Sequence, residues 1–164
     1  MVIVVMGVSG AGKTTVGRLL AEAFGAEFAE GDEFHPPENV EKMRRGVPLD
    51  DDDRIPWLAS LSLQIGAWLE EGRPVVLACS ALRQSYRDLL AAGRPGVHFV
   101  YLKGSEPLIR GRLELRHGHY MPPSLLPSQL AALEEPEDAI VADVSGTPEQ
   151  IAALIRAQIK ARAP

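Results

Sequence analysis

The sequence contains Gly7-Val8-Ser9-Gly10-Ala11-Gly12-Lys13-Thr14 close to its start, a full match to the pattern G-x-x-x-x-G-K-[ST]. Glycines in such a loop let successive backbone N–H groups point at one phosphate, and the start of a following helix favours an anion. The apolar run from Val2 to Met6 predicts a buried strand before the loop. The amphipathic stretch from Thr15 to Phe24 predicts a helix after it, with Gly25 as its C-terminal cap. The sequence therefore predicts a P-loop between a strand and a helix.

Two side chains of this loop have expected roles in binding ATP. Lys13 can reach the β- and γ-phosphates, and the Thr14 hydroxyl can ligate Mg²⁺. We therefore predict an ATP site made of residues 7–14 together with Thr15. A chance glycine-rich turn is the alternative, but the flanking strand and helix favour the P-loop.

The P-loop alone does not specify a reaction. P-loop ATPases carry an aspartate at the end of a core strand, whereas the predicted strand from Pro74 to Cys79 runs into Ser80. A carboxylate that helps to hold Mg²⁺ is then expected elsewhere in the sequence, and Asp32 is the chief candidate. Cys79 is expected to be a small buried residue, because nothing in the sequence suggests a base paired with it.

The rest of the chain alternates short apolar runs with longer amphipathic stretches, which predicts βαβ units and a parallel sheet. The predicted strands are Val2 to Met6, Glu27 to Ala29, Pro74 to Cys79, Val97 to Leu102 and Ala139 to Val144. The further predicted helices are Glu38 to Arg45, Arg54 to Glu71 (capped by Asp50 to Asp53), Glu106 to Arg116, and one that begins at the capping sequence Thr147-Pro148-Glu149-Gln150. The predicted fold class is α/β, a P-loop NTPase fold with a five-stranded parallel sheet flanked by helices.

Polar clusters follow the predicted strands, where open sheets of this kind bind ligands. They are Gly7 to Thr14, Gly31 to His35, Ser80 to Arg87 and Ser145 to Thr147. Their shared location predicts one active site. The last cluster could line an adenine pocket, although capping the final helix is a sufficient role for it.

Length, charge and cysteine content limit the class of protein. The 164 residues predict a single domain spanning 1–164. A net charge of −5 argues against non-specific binding to nucleic acid. The single cysteine excludes an internal disulfide, and no apolar run has the length of a membrane span. We expect a cytoplasmic protein without nucleic-acid or membrane partners.

Asp32 follows the second predicted strand, in Glu30-Gly31-Asp32-Glu33-Phe34-His35. From this position its carboxylate could accept a hydrogen bond from an attacking hydroxyl, or hold a metal-bound water. The alternative is an aspartate that stabilises a turn, because Gly-Asp is common in turns. Position alone leaves the two interpretations evenly balanced.

Further blocks of sequence carry a family resemblance. They are Gly31-Asp32-x-x-His35-Pro36, Asn39-x-x-Lys42-Met43, Gly46-x-Pro48-Leu49-x-Asp51-Asp52-Asp53-Arg54-x-Pro56-Trp57-Leu58, Cys79-Ser80-Ala81-Leu82-Arg83, Tyr86-Arg87-Asp88-Leu89-Leu90, Tyr101-Leu102-Lys103-Gly104, Arg116-x-Gly118-His119 and Leu133-x-Glu135-Pro136. With these blocks the chain resembles the gluconokinase family from Val4 to about Asp143. The Asp-Asp-Asp-Arg-x-Pro-Trp and Cys-Ser-Ala-Leu-Arg blocks are far more particular than a P-loop.

The resemblance implies an enzyme that uses ATP and Mg²⁺ to convert D-gluconate to 6-phosphogluconate, in the catabolism of carbohydrate acids. It also implies a fold like that of nucleoside monophosphate kinases and shikimate kinase, with a short lid, and a homodimer. Two alternatives stay open. One is a kinase of another small polyhydroxy acid, such as shikimate, and the other is a nucleotide-binding regulatory protein with little turnover.

The residue types near these blocks suit a substrate with one carboxylate and several hydroxyls. A carboxylate favours a bidentate arginine, for which Arg54, Arg83 and Arg87 are candidates. The remaining predicted substrate-binding residues are His35 and Lys42 beside that carboxylate, and Asp32, Asp52 and Asn39 at the hydroxyls. The alternatives are a capped helix start for Asp52 and Arg54, and an exposed helix face for Arg83 and Arg87.

A lid is predicted at about residues 115–128. Arg112 and Arg116 share one face of a predicted helix that runs into the hinge-like segment 117–123. Such a lid could close over ATP and stabilise charge on the transferring phosphoryl group, whereas the alternative is a surface helix with arginines for solubility. His117 and His119 lack further ligands for a metal site. The predicted catalytic residues are Lys13, Asp32, Arg112 and Arg116.

Overall fold

The protein is described by a computed structural model that covers residues 1–116 and 122–162. Five parallel strands form one sheet in the order β2-β3-β1-β4-β5. The strands are β1 Val2–Met6, β2 Glu27–Glu30, β3 Val75–Ala78, β4 Val97–Lys103 and β5 Ile140–Asp143. The predicted five-stranded parallel sheet is therefore confirmed.

Helices cover both faces of this sheet. They are α1 Lys13–Phe24, α2 Pro37–Arg44, α3 Asp51–Glu70, α4 Gln84–Ala91, α5 Glu106–Glu114, α6 Leu126–Ala132 and α7 Pro148–Arg162. Residues alternate between two cores along β1: Ile3 and Val5 pack with α1, α5, α6 and α7, whereas Val4 and Met6 pack with α3 and α4. Both faces of the sheet are thus buried, as parallel sheets require.

Two helix boundaries differ from the prediction for identifiable reasons. Helix α3 begins at Asp51 rather than Arg54, because Asp50 and Asp53 exchange hydrogen bonds in a capping box. Helix α5 ends at Glu114, so Arg116 lies beyond it. Helix α6 is not predicted by the sequence pattern, because its seven residues are too few to show a clear period.

The carboxyl ends of β1, β2 and β3 lie side by side and place three predicted clusters together. The P-loop follows β1, a 3₁₀ turn at Gly31–Phe34 follows β2, and Ser80 comes just after β3. In the predicted lid, residues 117–121 lie outside the described residues, and a second 3₁₀ turn at Pro123–Leu125 leads directly into α6. Among the described helices, none has the length and apolar character to cross a membrane.

Candidate active site

The P-loop enters α1 through glycines with left-handed backbone conformations. Gly10 has φ of +86° and Gly12 has φ of +96°, values that side-chain-bearing residues rarely adopt. A Cβ atom on Gly10 would lie 2.7 Å from the Leu113 Cγ atom. Both the lack of space for a side chain and the backbone conformation therefore require glycine at this position. A Cβ atom on Gly12 would have no neighbour within 4 Å, so only its backbone requires glycine. This curled backbone is the conformation in which adjacent N–H groups bind phosphate.

Lys13 lies on the floor of a cavity above this loop. Its Nζ atom donates a hydrogen bond to the Val8 carbonyl oxygen at 3.0 Å. Burial lowers the pKa of Lys13, while the negative charges of Asp32 and Glu30 act to raise it. The ammonium group therefore already faces two carboxylates in the place where phosphate oxygens would come.

Thr14 is oriented by a carboxylate that the sequence analysis did not single out. Its Oγ1 atom donates a hydrogen bond of 2.6 Å to Glu30 Oε2. Burial raises the pKa of Glu30, and the hydrogen bond from Thr14 opposes that rise. Since the hydroxyl proton is committed to Glu30, the oxygen lone pairs of Thr14 are left for a cation.

Asp32 is held beside these residues by the 3₁₀ turn at Gly31–Phe34. Trp57 fixes the start of the turn, because its Nε1 atom donates a 2.8 Å hydrogen bond to the Gly31 carbonyl oxygen. Asp32 lines the same cavity as Lys13 and Thr14, and its side chain is 25 % exposed. Its carboxylate therefore borders the same cavity as the P-loop side chains.

His35 lies in the wall next to Asp32 with only 2 % of its side chain exposed. Its ring stacks on Trp57 with 4.1 Å between centroids and 18° between planes. Burial lowers the pKa of His35 to about 4, with the positive charge of Arg54 acting in the same direction and Asp32 opposing it. The ring is therefore neutral near pH 7 and offers little surface to a ligand.

A second cavity adjoins the one above the P-loop. Ser80 and Gln129 line both of them, so the two cavities are neighbours. The other residues around the second cavity are His35, Met43, Pro48, Leu49, Arg54, Trp57, Leu82, Tyr86, Leu125 and Ser128. This mixed lining of hydroxyl, amide, aromatic and guanidinium groups is suited to a small polar molecule.

Arg54 supplies the arginine in the lining of this second cavity. Its guanidinium donates to the Tyr86 hydroxyl oxygen at 3.1 Å and lies 3.9 Å from Asp51 Oδ1. The Tyr86 hydroxyl in turn donates a short hydrogen bond to Asp51. Tyr86 and Asp51 thus hold the guanidinium in one orientation, and its side chain is 17 % exposed.

Two predicted substrate-binding residues are instead committed to the start of α3. Asn39 is buried, and its Nδ2 atom donates to the Asp53 carbonyl oxygen at 2.8 Å. Lys42 donates to both carboxylate oxygens of Asp53, at 3.0 and 2.8 Å. Their role in this structure is to fasten α2 to α3, which the spacing of the sequence could not reveal.

Three further predicted substrate-binding residues lie outside the lining of the second cavity: Arg87, Arg83 and Asp52. Arg87 is 2 % exposed, and it donates to the carbonyl oxygens of Ala81, Leu82 and Glu134 and to the side chain of Gln84. Its contacts therefore support neither the substrate role nor the exposed helix face that was the alternative.

Arg83 and Asp52 likewise lie outside the residues around the second cavity. The Arg83 guanidinium is 3.9 Å from Glu134 Oε1, and its side chain is 42 % exposed. Asp52 is exposed on the first turn of α3, where its charge favours the helix dipole. The capped helix start thus explains the placement of Asp52, whereas Arg83 directly precedes α4 instead of lying on an exposed helix face.

Arg112 and Arg116 lie on the other side of the P-loop. Both border a cavity that also contacts Thr15, Gly146 and Pro148. Arg112 donates a hydrogen bond to the Val144 carbonyl oxygen, whereas Arg116 is exposed and borders the cavity above the loop as well. The two arginines thus border one cavity, but the Arg112 guanidinium is held by a backbone carbonyl whereas the Arg116 side chain is exposed.

The oxygen atoms beside the loop fit a Mg²⁺ ion that comes with ATP. Within residues 1–116 and 122–162, no group of three His, Cys, Asp or Glu side chains could hold a metal by itself. Mg²⁺ needs no such group, since it takes one or two protein oxygens and completes its shell with water and phosphate. Thr14 and Asp32 line one cavity with Glu30, so these hard ligands are available where the β- and γ-phosphates would lie.

Comparison with known proteins identifies the family. A family model described as an AAA domain matches residues 2–136. A gluconokinase from Gluconobacter oxydans (strain 621H) is 51 % identical over 145 residues, which cover 88 % of this chain and 82 % of that protein. This chain belongs to the gluconokinase family.

Solved structures agree with this assignment. A gluconokinase from Sinorhizobium meliloti 1021 matches this family member with a TM-score of 0.81 and 45 % identity, over 98 % of this chain and 97 % of the other. A shikimate kinase from Aquifex aeolicus vf5 matches with a TM-score of 0.64 and 17 % identity, over 98 % and 97 % of the two chains. The second match concerns the fold alone and confirms the predicted fold class.

Several residues of this gluconokinase family member were missed by the sequence analysis. Glu30 ends β2 two residues before Asp32, and its charge at a strand end was the available signal. Tyr86 lies within a block that carries the resemblance, but its contact with Arg54 is long-range. Gln129 accepts a 2.7 Å hydrogen bond from the Ser9 backbone N–H, and no sequence signal connects two residues so far apart.

Proposed function

We propose that this chain transfers the γ-phosphoryl group of ATP to the 6-hydroxyl of D-gluconate. The observation that carries the proposal is the adjacency of the two cavities. One is built on the P-loop and contains Asp32, and the other contains Arg54, with Ser80 and Gln129 common to both. A phosphate donor and a carboxylate-bearing acceptor can therefore be held next to each other.

Asp32 is proposed to orient the acceptor hydroxyl and take its proton. As the hydroxyl oxygen forms its bond to the γ-phosphorus, the bond from that phosphorus to the bridging oxygen breaks and ADP leaves. Because the transition state of phosphoryl transfer is loose, the base need not be strong, and positioning dominates. Lys13 and the N–H groups of residues 7–14 stabilise the charge on the phosphate oxygens.

Thr14 and Asp32, the latter through water, are proposed to hold Mg²⁺. When bound, the ion draws negative charge from the β- and γ-phosphates. Glu30 supports this arrangement, because it accepts the hydrogen bond of the Thr14 hydroxyl and leaves the oxygen lone pairs of Thr14 available. Partners of this kind around a ligand are important for metal affinity.

Arg54 is proposed to bind the gluconate carboxylate. Of the three arginines that the sequence suggests for this role, it is the one that lines the second cavity. Tyr86 and Asp51 hold its guanidinium in place, so little side-chain entropy is lost on binding. The hydroxyls of gluconate would meet Ser80, Ser128 and Gln129, which lie in the same lining.

Arg116 and Arg112 are proposed to act on the nucleotide side, as parts of a lid that closes over the phosphates. The support is that both border the cavity beside Thr15, and that Arg116 borders the cavity above the P-loop too. The lid bounds, at about 115–128, and the single-domain extent over residues 1–164 stay predictions.

We also propose that the protein is a cytoplasmic homodimer, as the resemblance to gluconokinases implies. Light scattering on the purified protein would measure its mass against that of a 17.8 kDa chain. Fractionation of cells that produce it would test its location.

An ADP-release assay over a panel of acceptors tests the central proposal. Gluconate is expected to support turnover, whereas glucose, which lacks the carboxylate, is expected to be a poor acceptor. Faster turnover with shikimate than with gluconate would make shikimate the acceptor, and the assignment as a kinase would still hold. ATP binding without turnover on any acceptor would favour a regulatory nucleotide-binding protein.

A further inference from the structure

The imidazole of His35 occupies a special place in the site, between the second cavity and Asp32. It borders the second cavity as well as an open cleft that contains Asp32, yet the side chain itself is 2 % exposed. Its Nε2 atom lies 3.9 Å from Asp32 Oδ1. The ring plane is fixed by stacking on Trp57. A buried ring with one fixed plane acts on its neighbours through whichever nitrogen carries the proton.

Asn39 determines which nitrogen that is. Its Nδ2 atom lies 2.8 Å from the carbonyl oxygen of Asp53, which can only accept, so the amide nitrogen must face this side. The same Nδ2 atom lies 3.2 Å from Nδ1 of His35. Because the amide group donates, Nδ1 must present its lone pair. The proton of a neutral ring therefore sits on Nε2, the nitrogen that faces Asp32.

Trp57 supports the same arrangement from a second direction. Besides stacking on the ring, it donates a hydrogen bond from Nε1 to the Gly31 carbonyl oxygen, directly before Asp32 in the chain. The backbone that presents Asp32 and the ring that faces it are thus held by one indole. The His35 ring and the backbone next to Asp32 are therefore held by packing.

We propose that His35 is a positioning residue for Asp32, and that Asn39 fixes the tautomer in which the His35 Nε2–H points at the carboxylate. The inference rests on the proposed function, in which Asp32 receives the proton of the acceptor hydroxyl. A separation of 3.9 Å is longer than a hydrogen bond, so in this conformation the N–H acts as an oriented dipole. Hydrogen bonds of this kind tighten when the substrate complex forms.

A neutral donor suits this role better than a cation. An imidazolium would form an ion pair with Asp32 and make its carboxylate a weaker base. A neutral N–H can orient one carboxylate oxygen and leave the other for the hydroxyl. The guanidinium of Arg54, whose positive charge acts on His35, also favours the neutral ring.

Kinetics of paired variants test the proposal. His35→Leu removes the N–H and is expected to lower kcat about 10-fold while KM for ATP stays within about 2-fold. His35→Gln is the matched control, because its amide N–H can occupy the place of Nε2–H, and it should recover most of kcat. If instead His35→Leu raises KM for gluconate and leaves kcat unchanged, His35 contacts substrate and the proposal is overturned.

A double-mutant cycle separates this inference from the proposed function. Because His35 acts through Asp32, His35→Leu should lower kcat by less than about 2-fold in an Asp32→Asn background. Should Asp32→Asn alone retain full kcat, the proposed role of Asp32 fails. A strongly impaired Asp32→Asn that loses a further 10-fold with His35→Leu would instead overturn the positioning role alone.

A spectroscopic measurement covers the case in which His35→Leu fails to fold. Long-range ¹H–¹⁵N correlation spectra of the wild-type protein distinguish the two imidazole tautomers, and the Nε2–H form is expected for His35. Asn39→Asp replaces the donor by an acceptor and should convert His35 to the Nδ1–H form with a fall in kcat. Observation of the Nδ1–H form in the wild type would contradict the proposal.

Discussion

The Thr14 hydroxyl donates its hydrogen bond to Glu30, at 2.6 Å, rather than to a backbone group of its own helix. The carboxylate that receives it is half-buried and ends β2. A hydroxyl with a fixed proton has fixed lone pairs, so the geometry of the proposed Mg²⁺ site would depend on a residue that need not touch the metal.

Replacement of Glu30 should therefore impair the use of metal. We expect Glu30→Ala to raise the Mg²⁺ concentration needed for half-maximal activity by about 10-fold or more, as for partners of metal ligands generally. Titrations of activity with Mg²⁺ at saturating ATP measure the effect. Glu33→Gln is the control, since it removes an equal charge three residues along the chain. A Glu30→Ala enzyme with the metal dependence of the wild type would exclude this role.

Arg54 and Arg83 should differ in their effect on gluconate binding, because only Arg54 lines the second cavity. We expect Arg54→Ala to raise KM for gluconate about 10- to 100-fold, the range for losing hydrogen bonds to a charged group. Arg83→Ala should leave KM nearly unchanged. Steady-state kinetics at saturating ATP measure both, and the reverse order would assign the carboxylate to Arg83.

Substitutions of Arg116 and Arg112, on the nucleotide side, should likewise differ in their effects on the kinetics. Arg116 borders the cavity above the P-loop, whereas Arg112 is tied to the Val144 carbonyl oxygen. Arginines that contact transferring phosphates contribute about 10³-fold to rate, so Arg116→Ala should lower kcat far more than Arg112→Ala. The latter should mainly raise KM for ATP. Equal, near-wild-type kcat in both variants would argue against a lid function.

Arg87 is expected to matter for stability rather than for chemistry. Its buried guanidinium donates to three carbonyl oxygens, of Ala81, Leu82 and Glu134. Arg87→Met removes the donor from the Ala81 and Glu134 carbonyl oxygens, whereas the Leu82 oxygen keeps a hydrogen bond from the Glu134 backbone N–H. Each buried acceptor left without a partner costs about 1–3 kcal/mol. Urea unfolding measures this loss, while the folded fraction should keep its KM for gluconate. Arg110→Met, which breaks an exposed pair with Glu106, is the control and should change stability little.

The buried His35 predicts a dependence of stability on pH. Its folded-state pKa of about 4 lies below the ordinary value of 6.5, so the unfolded chain binds the proton more readily. The wild type should thus keep nearly all of this contribution above about pH 7 and lose about 1–2 kcal/mol from this group between pH 7 and pH 5. Chemical denaturation of wild type and His35→Gln across this range measures the difference. Parallel pH profiles for the two proteins would contradict the assignment.

Much of the fold could be predicted from local patterns. The P-loop is a contiguous motif, and β1 and β3 are continuous apolar runs, because both faces of a parallel sheet are buried at its centre. The helix caps at Asp50 and Thr147 follow from chemistry that is local in sequence, although the first residue of α3 was predicted three positions too late. The seven-residue α6 escapes prediction because so short a segment contains fewer than two helical turns.

The acceptor side could be predicted only in part. Residue types suggest a carboxylate site, but they cannot distinguish Arg54 from Arg87, since both are arginines near acidic residues. The difference lies in tertiary contacts: Arg87 is enclosed by carbonyl oxygens, and Arg54 is held by Tyr86 at a cavity wall. Likewise Asn39 and Lys42 have substrate-like chemistry but are occupied by Asp53.

Two adjacent P-loop residues are held by separate helices, Ser9 by Gln129 of α6 and Gly10 by its close packing against Leu113 of α5. The loop thus has its shape before any nucleotide arrives, and the entropy of ordering it is lost during folding. This is preorganisation, and it places part of the determinants of the loop's shape in α5 and α6, outside the P-loop motif. Sequence changes in α5 and α6 can therefore tune nucleotide binding while the P-loop motif itself stays constant.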